Sequence, residues 1–285
     1  MERRFIVRGL LAGAIGGILA FIFARIFAEP QIQAAIDYES GRDAAQAVLD
    51  KAAGLTPETA GPDLFSRTIQ ANVGIGAGMI AFGAAIGGLY AVAYILACGR
   101  TGKLRPRNLA LLVALGGFLG LYLIPFVKYP ANPPSIGHPE TIRDRGGLYL
   151  VMVVASIAFL ILAVWLGQRL KPRFGNWNAT LLAALACAVA LGIVMALLPS
   201  LGHLHANVEQ YGRHATETPL PLKDPQGRVV YPGFPADLLF SFRFYSVAAQ
   251  AILWTAIGLC YAPLAERLFA ETSPASGTPS EPVTA

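Results

Sequence analysis

The chain has 285 residues, of which 55% are hydrophobic and 14% are charged, and its formal net charge is +5. A soluble domain carries roughly 25% charged residues, so this composition excludes an ordinary water-soluble globule and predicts a membrane protein. The basic residues lie in short clusters beside apolar stretches and form no contiguous basic face, so the positive charge does not indicate nucleic-acid binding.

Six apolar stretches are long enough to cross a bilayer, since a hydrocarbon core about 30 Å thick requires about 20 helical residues. They cover residues 5–28, 73–98, 109–127, 148–167, 179–198 and 244–263. The predicted fold class is all-α: a polytopic membrane helix bundle of about six transmembrane helices with long outer loops, in a single domain over residues 1–270. No A-x-A cleavage site follows the first stretch, so we interpret it as a retained anchor. Residues 271–285 are polar and rich in Pro, Ser and Thr, which predicts a disordered tail.

The charges of the short connections predict the orientation. Four basic residues lie between positions 100 and 107 and three between positions 169 and 173, and neither connection contains Asp or Glu. Cytoplasmic loops carry an excess of Lys and Arg, so we expect both connections and both chain termini to be cytoplasmic. Segments 29–72, 128–147 and 199–243 then form the outer loops.

The outer loops are expected to contain little regular structure. Residues 44–53 predict a short helix, and Pro57 and Pro62 end regular structure after it. The last outer loop is rich in Pro and Gly, which indicates turns and one short strand at residues 229–231.

Glycines at four-residue spacing predict close helix packing, because small residues let helices approach in lipid. The pairs are 9/13, 13/17, 74/78, 83/87 and 116/120. No Asp or Glu lies near the middle of a span, so we expect no buried carboxylate relay; Arg25 and Lys128 lie near outer ends. We interpret Cys98, Cys187 and Cys260 as packing residues.

Candidate metal ligands lie in the outer loops, which hold all four histidines. In an extended segment alternate side chains share a face, so His203 and His205 form a pair that suits a borderline cation such as Co²⁺, Ni²⁺ or Zn²⁺. The other candidate ligands are Glu209, His214, His138 and Asp237.

A proline-rich segment closes the third span. Pro125 removes a backbone donor near the helix end, and the prolines that follow force an extended exit from the membrane. Two interpretations stay open: the segment anchors the span at the interface, or its irregular backbone lines the mouth of a pathway. Its candidate residues are Lys128, Tyr129, Pro130, Asn132, Pro133 and Pro134.

Residues 234–243 lead into the sixth span. Asp237 is typical of a helix N-cap at the start of that span. Arg243 lies six residues later, which is too far for the two side chains to pair along the helix.

Four segments carry a family resemblance: EPQIQAAIDYE at 29–39, PFVKYPANPP at 125–134, HPETIRDR at 138–145 with Glu140, and FPADLLFSFR at 234–243 with Arg243. On these segments the sequence resembles the CbtA family of predicted cobalt transporter subunits. The resemblance implies cobalt uptake linked to cobalamin synthesis, a bacterial inner membrane, and a small single-span partner, CbtB, that carries histidines. Members often have a histidine-rich stretch after the first span, whereas residues 40–72 contain no histidine here.

The leading hypothesis is a membrane protein, not an enzyme, that helps to move Co²⁺ or a related divalent metal ion into the cytoplasm. Its expected partners are the lipid bilayer, the metal ion and a CbtB-like subunit, with no cofactor and no nucleic acid. One alternative is a non-transporting scaffold or receptor that binds a partner through its outer loops. Another is a membrane enzyme acting on lipid-linked substrates through His203, His205 and Asp237.

Overall fold

The structure is a computed structural model that describes residues 2–56, 65–101, 104–134, 136–212, 214 and 216–272. Apart from two short strands, the regular structure in these ranges is helical. The helices are α1 (Glu2–Phe27), α2 (Glu29–Ala52), α3 (Arg67–Ala97), α4 (Pro106–Lys128), α5 (Ile142–Leu197), α6 (His205–Tyr211) and α7 (Ala236–Thr272). The strands are β1 (Leu222–Lys223) and β2 (Val229–Tyr231), which pair in antiparallel fashion. The predicted strand at 229–231 is confirmed.

Five of the described helices are long and apolar enough to cross a membrane: α1, α3, α4, α5 and α7. Helix α5 is a hairpin, because it bends at Gly175, whose φ of 74° is a conformation that favours glycine. The two arms run back along each other, since Gly167 of the first arm lies against Ala179 and Ala183 of the second. With the two arms of α5 counted separately, the described helices supply six segments that could cross a membrane. The predicted all-α membrane bundle is confirmed.

Helices α1 and α3 cross at glycines on both partners. A Cβ atom added to Gly13 would fall on the carbonyl oxygen of Gly83, and one added to Gly9 would fall on the carbonyl oxygen of Gly87. No side chain larger than hydrogen fits there, so the backbones are in direct contact, as in other small-residue helix pairs in lipid. The packing predicted for the glycines of α1 and for the pair 83/87 is confirmed.

The remaining glycine pairs do not pack as predicted. No other element lies within 4 Å of a Cβ atom built on Gly74, Gly78 or Gly116. Gly120 alone of these four contacts another helix, through Leu160 of α5. Four-residue spacing of glycines therefore did not distinguish the glycines that contact another helix from those on an open surface.

Helix α7 completes the core of the bundle. Its Trp254 lies over Gly117 of α4, and its Leu253 contacts Gly16 of α1. Ile257 and Tyr261 are fully buried, and the Tyr261 ring meets the Tyr90 ring of α3 edge to face at 5.0 Å. The core therefore consists of α1, α3, α4 and α7.

The α5 hairpin packs on the outside of α4. A stripe at four-residue spacing on its second arm is buried: Ala179, Ala183, Cys187 and Leu191. Many other apolar side chains of the hairpin are exposed, among them Leu150, Trp165 and Leu185. Lipid is the solvent that suits such a surface, and the buried position of Cys187 agrees with a packing role.

One end of the bundle carries α2 and the described residues of the ranges 129–141 and 199–235, and we call it the capped end. Arg67 and Glu29 form an ion pair there, Arg25 donates a hydrogen bond to Asn72 at 2.8 Å, and the Tyr38 hydroxyl donates to the carbonyl of Pro232 at 2.9 Å. The three predicted outer loops thus meet at a single end, as alternating passes require.

The prediction of a short helix at residues 44–53 is wrong in extent, because α2 already begins at Glu29. Pro30 is tolerated in the first turn, where its missing N–H costs nothing. Gly41 does not break the helix, and the Tyr231 side chain occupies the space that a Cβ atom would need there. The predicted breakers Pro57 and Pro62 lie outside the described residues, as does the tail from 273 to 285.

Candidate functional site at the capped end

Residues 129–134 and 136–138 are irregular, and we call this part of the chain the strap. The strap leaves α4 after Lys128, and Tyr129 and Pro133 in it are buried. The predicted non-helical exit from the membrane is therefore confirmed. Pro125 lies three residues before Lys128, the last residue of the helix, so its predicted place near the helix end is confirmed.

Pro125 changes the helix that precedes it. Without an N–H it cannot bond to the carbonyl of Leu121, four residues earlier. The backbone widens into a π-helical turn over Phe118–Leu123, which is the kind of local irregularity that often occurs at functional sites. The Tyr149 hydroxyl of α5 donates a hydrogen bond to the Leu121 carbonyl of this turn at 3.3 Å. This bond joins α4 to α5.

Two hydrogen bonds join the start of the strap to the far end of α5. Lys128 Nζ donates to the carbonyl of Leu198 at 2.8 Å, and Tyr129 Oη donates to the carbonyl of Pro199 at 2.8 Å. An ammonium group near the last carbonyls of a helix is favourable, because it satisfies free acceptors and opposes the helix dipole. Burial raises the pKa of Tyr129, so its hydroxyl stays protonated and remains a donor.

Arg243 of α7 holds the middle of the strap. Its Nε donates to the carbonyl of Ala131 at 3.1 Å, and its Nη2 donates to Asn132 Oδ1 at 2.8 Å. The segments 125–134 and 234–243, which are far apart in sequence, are therefore in direct contact. The sequence gave no indication that Arg243 bonds to Asn132, because the two residues are 111 positions apart.

Asp237 does not act as the predicted N-cap. Helix α7 begins at Ala236, so Asp237 is its second residue, and the first turn is closed by a bond from the Leu239 N–H to the carbonyl of Pro235. The Asp237 side chain is exposed at the capped end. It remains a candidate for attracting a cation.

Glu217 is a buried carboxylate that the sequence did not reveal. Only 1% of the residue is exposed. It accepts hydrogen bonds from Thr141 Oγ1 and from Asn207 Nδ2, the latter at 2.8 Å, and Arg145 Nη1 lies 3.0 Å from Glu217 Oε2. Glu217 therefore connects the short turn that follows the strap, α6 and the start of α5. A single acid in a proline-rich loop has no motif that would have indicated this role.

His203 and His205 are both exposed, on either side of Leu204. His203 ends a 3₁₀ turn and His205 begins α6, so only the residue between them has the extended backbone that was expected for the whole pair. His205 Nδ1 lies 3.6 Å from Glu209 Oε2, one helical turn later. An imidazole and a carboxylate are thus adjacent on an open surface.

The other two histidines are engaged locally. His138 Nδ1 accepts a hydrogen bond from the Glu140 N–H at 3.2 Å and caps a short turn, while Nδ1 of the half-buried His214 lies 3.0 Å from the carbonyl of Gly212. Within the ranges that the structure describes, no three His, Cys, Asp or Glu side chains lie close enough together to hold a metal ion. The predicted ligands are therefore spread over the capped end.

A cavity of about 380 Å³ lies beneath the strap, between α4 and the start of α5. Its lining includes Tyr122, Phe126, Asn132, Arg145, Tyr149 and Leu201. A second, smaller cavity of about 200 Å³ lies between α1, α3 and α7, where Met79 and Gln250 line it together with small residues. Both cavities are largely apolar, and the polar side chains in the lining of the first include Asn132 and Arg145.

Comparison with known protein families gives a match over most of the chain. A family model described as "Probable cobalt transporter subunit (CbtA)" matches residues 2–266. The match includes every helix described above except the last residues of α7, and it contains the strap, Glu217 and Arg243. No curated protein and no solved structure matches the chain.

Proposed function

The chain belongs to the CbtA family of probable cobalt transporter subunits, and from this premise we propose that it takes part in the uptake of cobalt or a related divalent metal ion. The observation that carries the proposal is a family match over residues 2–266 of a chain whose described helices make six membrane passes. We place the protein in a bacterial inner membrane with both termini in the cytoplasm, so the capped end faces outward.

The capped end supplies groups for the first contact with the metal ion. Imidazole nitrogen suits Co²⁺, and a carboxylate one helical turn away adds an oxygen ligand and a negative charge. In our proposal His203, His205 and Glu209 make this contact. His138, His214 and Asp237 are additional ligands on the same end, reached when the ion moves from the open surface toward the strap.

The strap closes the mouth of the proposed pathway. Lys128, Tyr129 and Arg243 donate the bonds that hold it against α5 and α7, and Pro130, Pro133 and Pro134 restrict its backbone. Passage of an ion along the core helices requires these bonds to open. The Met79 sulfur and the Gln250 amide oxygen are then potential ligands along the membrane path. The strap is thus the gate of this proposal.

The word "subunit" in the family description favours a second protein. We propose a small single-span subunit that carries histidines. It would complete the set of metal ligands, since the described residues of this chain place no third ligand beside His205 and Glu209. In this assembly the present chain is the larger component. No catalytic role is part of the proposal, since a transporter subunit needs none.

Uptake of radioactive cobalt tests the proposal. Cells that lack their own cobalt uptake are given an empty vector, this chain alone, or this chain with a single-span histidine-bearing partner. We expect uptake above the vector level with the partner, and a lower level without it. Uptake equal to the vector in both cases would refute transport and leave the scaffold or receptor hypothesis.

A further inference from the structure

We propose that the smaller cavity, between α1, α3 and α7, is the docking site for a single transmembrane helix of the second subunit. The inference rests on the proposed function, which already calls for a second subunit, and adds the surface that receives it. The cavity has a volume of about 200 Å³ and is lined by Gln250 together with small and apolar residues. Its lining belongs to the helices and not to the strap or to the histidine segments.

Helices α3 and α7 form the two sides of the cavity, and α1 forms its floor. At the end opposite the capped end the two helices meet, since the Tyr261 ring lies 5.0 Å from the Tyr90 ring and 5.3 Å from the Tyr94 ring. Nearer the capped end they separate, and Gly17 and Ala20 of α1 lie between them. The cavity is therefore a wedge-shaped recess in the membrane-spanning part of the bundle.

The Gln250 amide indicates that a polar group enters this recess in the assembled protein. Gln250 lies seven residues after Arg243, which binds the strap, or about 10 Å along α7. None of the residues that the structure describes forms a hydrogen bond with the amide. Hydrocarbon offers neither donors nor acceptors, so an unpaired amide at this depth loses its bonds to water without replacement. The occupant of the recess must therefore supply a hydrogen-bonding group at the level of Gln250.

Small residues at the mouth of the recess let a helix backbone approach the amide. No other element lies within 4 Å of a Cβ atom built on Gly78, and Gly74 and Ala81, about one turn to either side of it, are exposed. Phe82, which is 53% exposed, forms the adjoining wall. Apolar burial gives helices no net attraction in lipid, so they associate through close packing of small residues and through hydrogen bonds between polar side chains. The mouth of the recess offers both.

A single helix of another chain meets these requirements, whereas the other molecules of the membrane do not. An acyl chain fills an apolar recess but carries no hydrogen-bonding group at this depth. A second copy of this chain presents the same recess, and two recesses cannot fill each other. The family description calls the chain a subunit, and a helix with small residues and one Ser, Thr, Asn or Gln at the level of Gln250 completes the packing. The Gln250 NH₂ group can donate to that residue while its oxygen remains a ligand along the membrane path.

Photocrosslinking in membranes tests the docking site. A photoreactive phenylalanine analogue is incorporated at Phe82 of the full-length chain, which is co-expressed with the same single-span partner as in the uptake experiment, and crosslinked species are identified by mass. Gln250→Leu and Gly78→Leu are then introduced, with Gln168→Leu and Gly116→Leu as matched controls. Gln168 is an exposed glutamine of the α5 hairpin, and Gly116 of α4, like Gly78, has no other element within 4 Å of its built Cβ atom.

We expect an adduct with the mass of this chain plus one partner. Gln250→Leu should lower its yield about threefold, because one hydrogen bond between helices is lost. Gly78→Leu should abolish the adduct, because a large side chain closes the mouth of the recess, and the two controls should leave the yield unchanged. An adduct that keeps its full yield in Gln250→Leu or in Gly78→Leu overturns the proposal, as does an adduct with the mass of two copies of this chain or the absence of any protein adduct.

Cobalt uptake by the wild-type chain with the same partner separates this proposal from the proposed function. Uptake above the vector level without an adduct at Phe82 would refute the docking site and leave transport intact. An adduct that depends on Gln250, in cells that show no uptake, would support the docking site and refute transport.

Discussion

A single carboxylate, Glu217, holds three separate segments of the capped end through Thr141, Asn207 and Arg145. Glu217→Gln should lower the free energy of unfolding by about 1.5–3 kcal/mol, because Arg145 loses its counter-ion and an amide N–H replaces an acceptor oxygen. Thermal unfolding in detergent measures the change. Glu209→Gln is the control, since replacing that exposed carboxylate should change the free energy of unfolding by less than about 0.5 kcal/mol. Equal melting temperatures for the two variants would contradict this role of Glu217.

The exposed imidazoles permit a test of metal capture. The double variant His203→Ala, His205→Ala should weaken cobalt binding about tenfold, because it removes the two nitrogen ligands beside Glu209. Isothermal titration with Co²⁺ provides the measurement. Asp144→Asn, which removes an exposed acid at the start of α5, should leave the isotherm unchanged. An unchanged isotherm in the double variant would exclude these histidines as ligands.

The crossing of α1 and α3 makes a prediction for whole helices. Gly13→Ala should reduce stability by about 1–3 kcal/mol or more, because the added methyl group would overlap the backbone of α3. Gly78→Ala adds the same methyl group to α3 where no other atom lies within 4 Å, so it should be tolerated. Melting temperature and the elution profile in detergent distinguish the two. A Gly13→Ala variant as stable as Gly78→Ala would mean that the helices are not in backbone contact.

The membrane-spanning helices were predicted well, because hydrophobicity and length decide them. A long apolar stretch in hydrocarbon must bond its own backbone, and a single stretch can do so only as a helix. Helix α2 was predicted too short, since it is only partly apolar and depends on contacts such as that between Tyr38 and Pro232, which no local pattern encodes. The strap was predicted from its prolines. Its partners were not, because the bonds from Arg243 and Lys128 connect positions that only the folded chain brings together.

At the scale of the whole molecule, the orientation has a direct test. His205→Cys at the capped end and Arg100→Cys at the opposite end are each placed in a chain without its native cysteines. In the orientation proposed above the basic connections face the cytoplasm. In intact spheroplasts a membrane-impermeant thiol reagent should then label His205→Cys but reach Arg100→Cys only after lysis. The opposite labelling pattern would show that the topology is inverted, and it would also refute metal capture by the histidines at the outer face.

The place of α7 in the core affects how a nascent chain can assemble. Helices α1 and α3 can pair as soon as both have left the ribosome, but Gly16 and the neighbouring small residues of α1 stay uncovered until Leu253 and Ala256 of α7 arrive. In a polypeptide terminated ahead of residue 236, this face of α1 therefore stays uncovered within the bilayer. Membrane proteases and insertion chaperones can bind the uncovered face, so premature termination should lead to rapid degradation and not to a smaller stable protein.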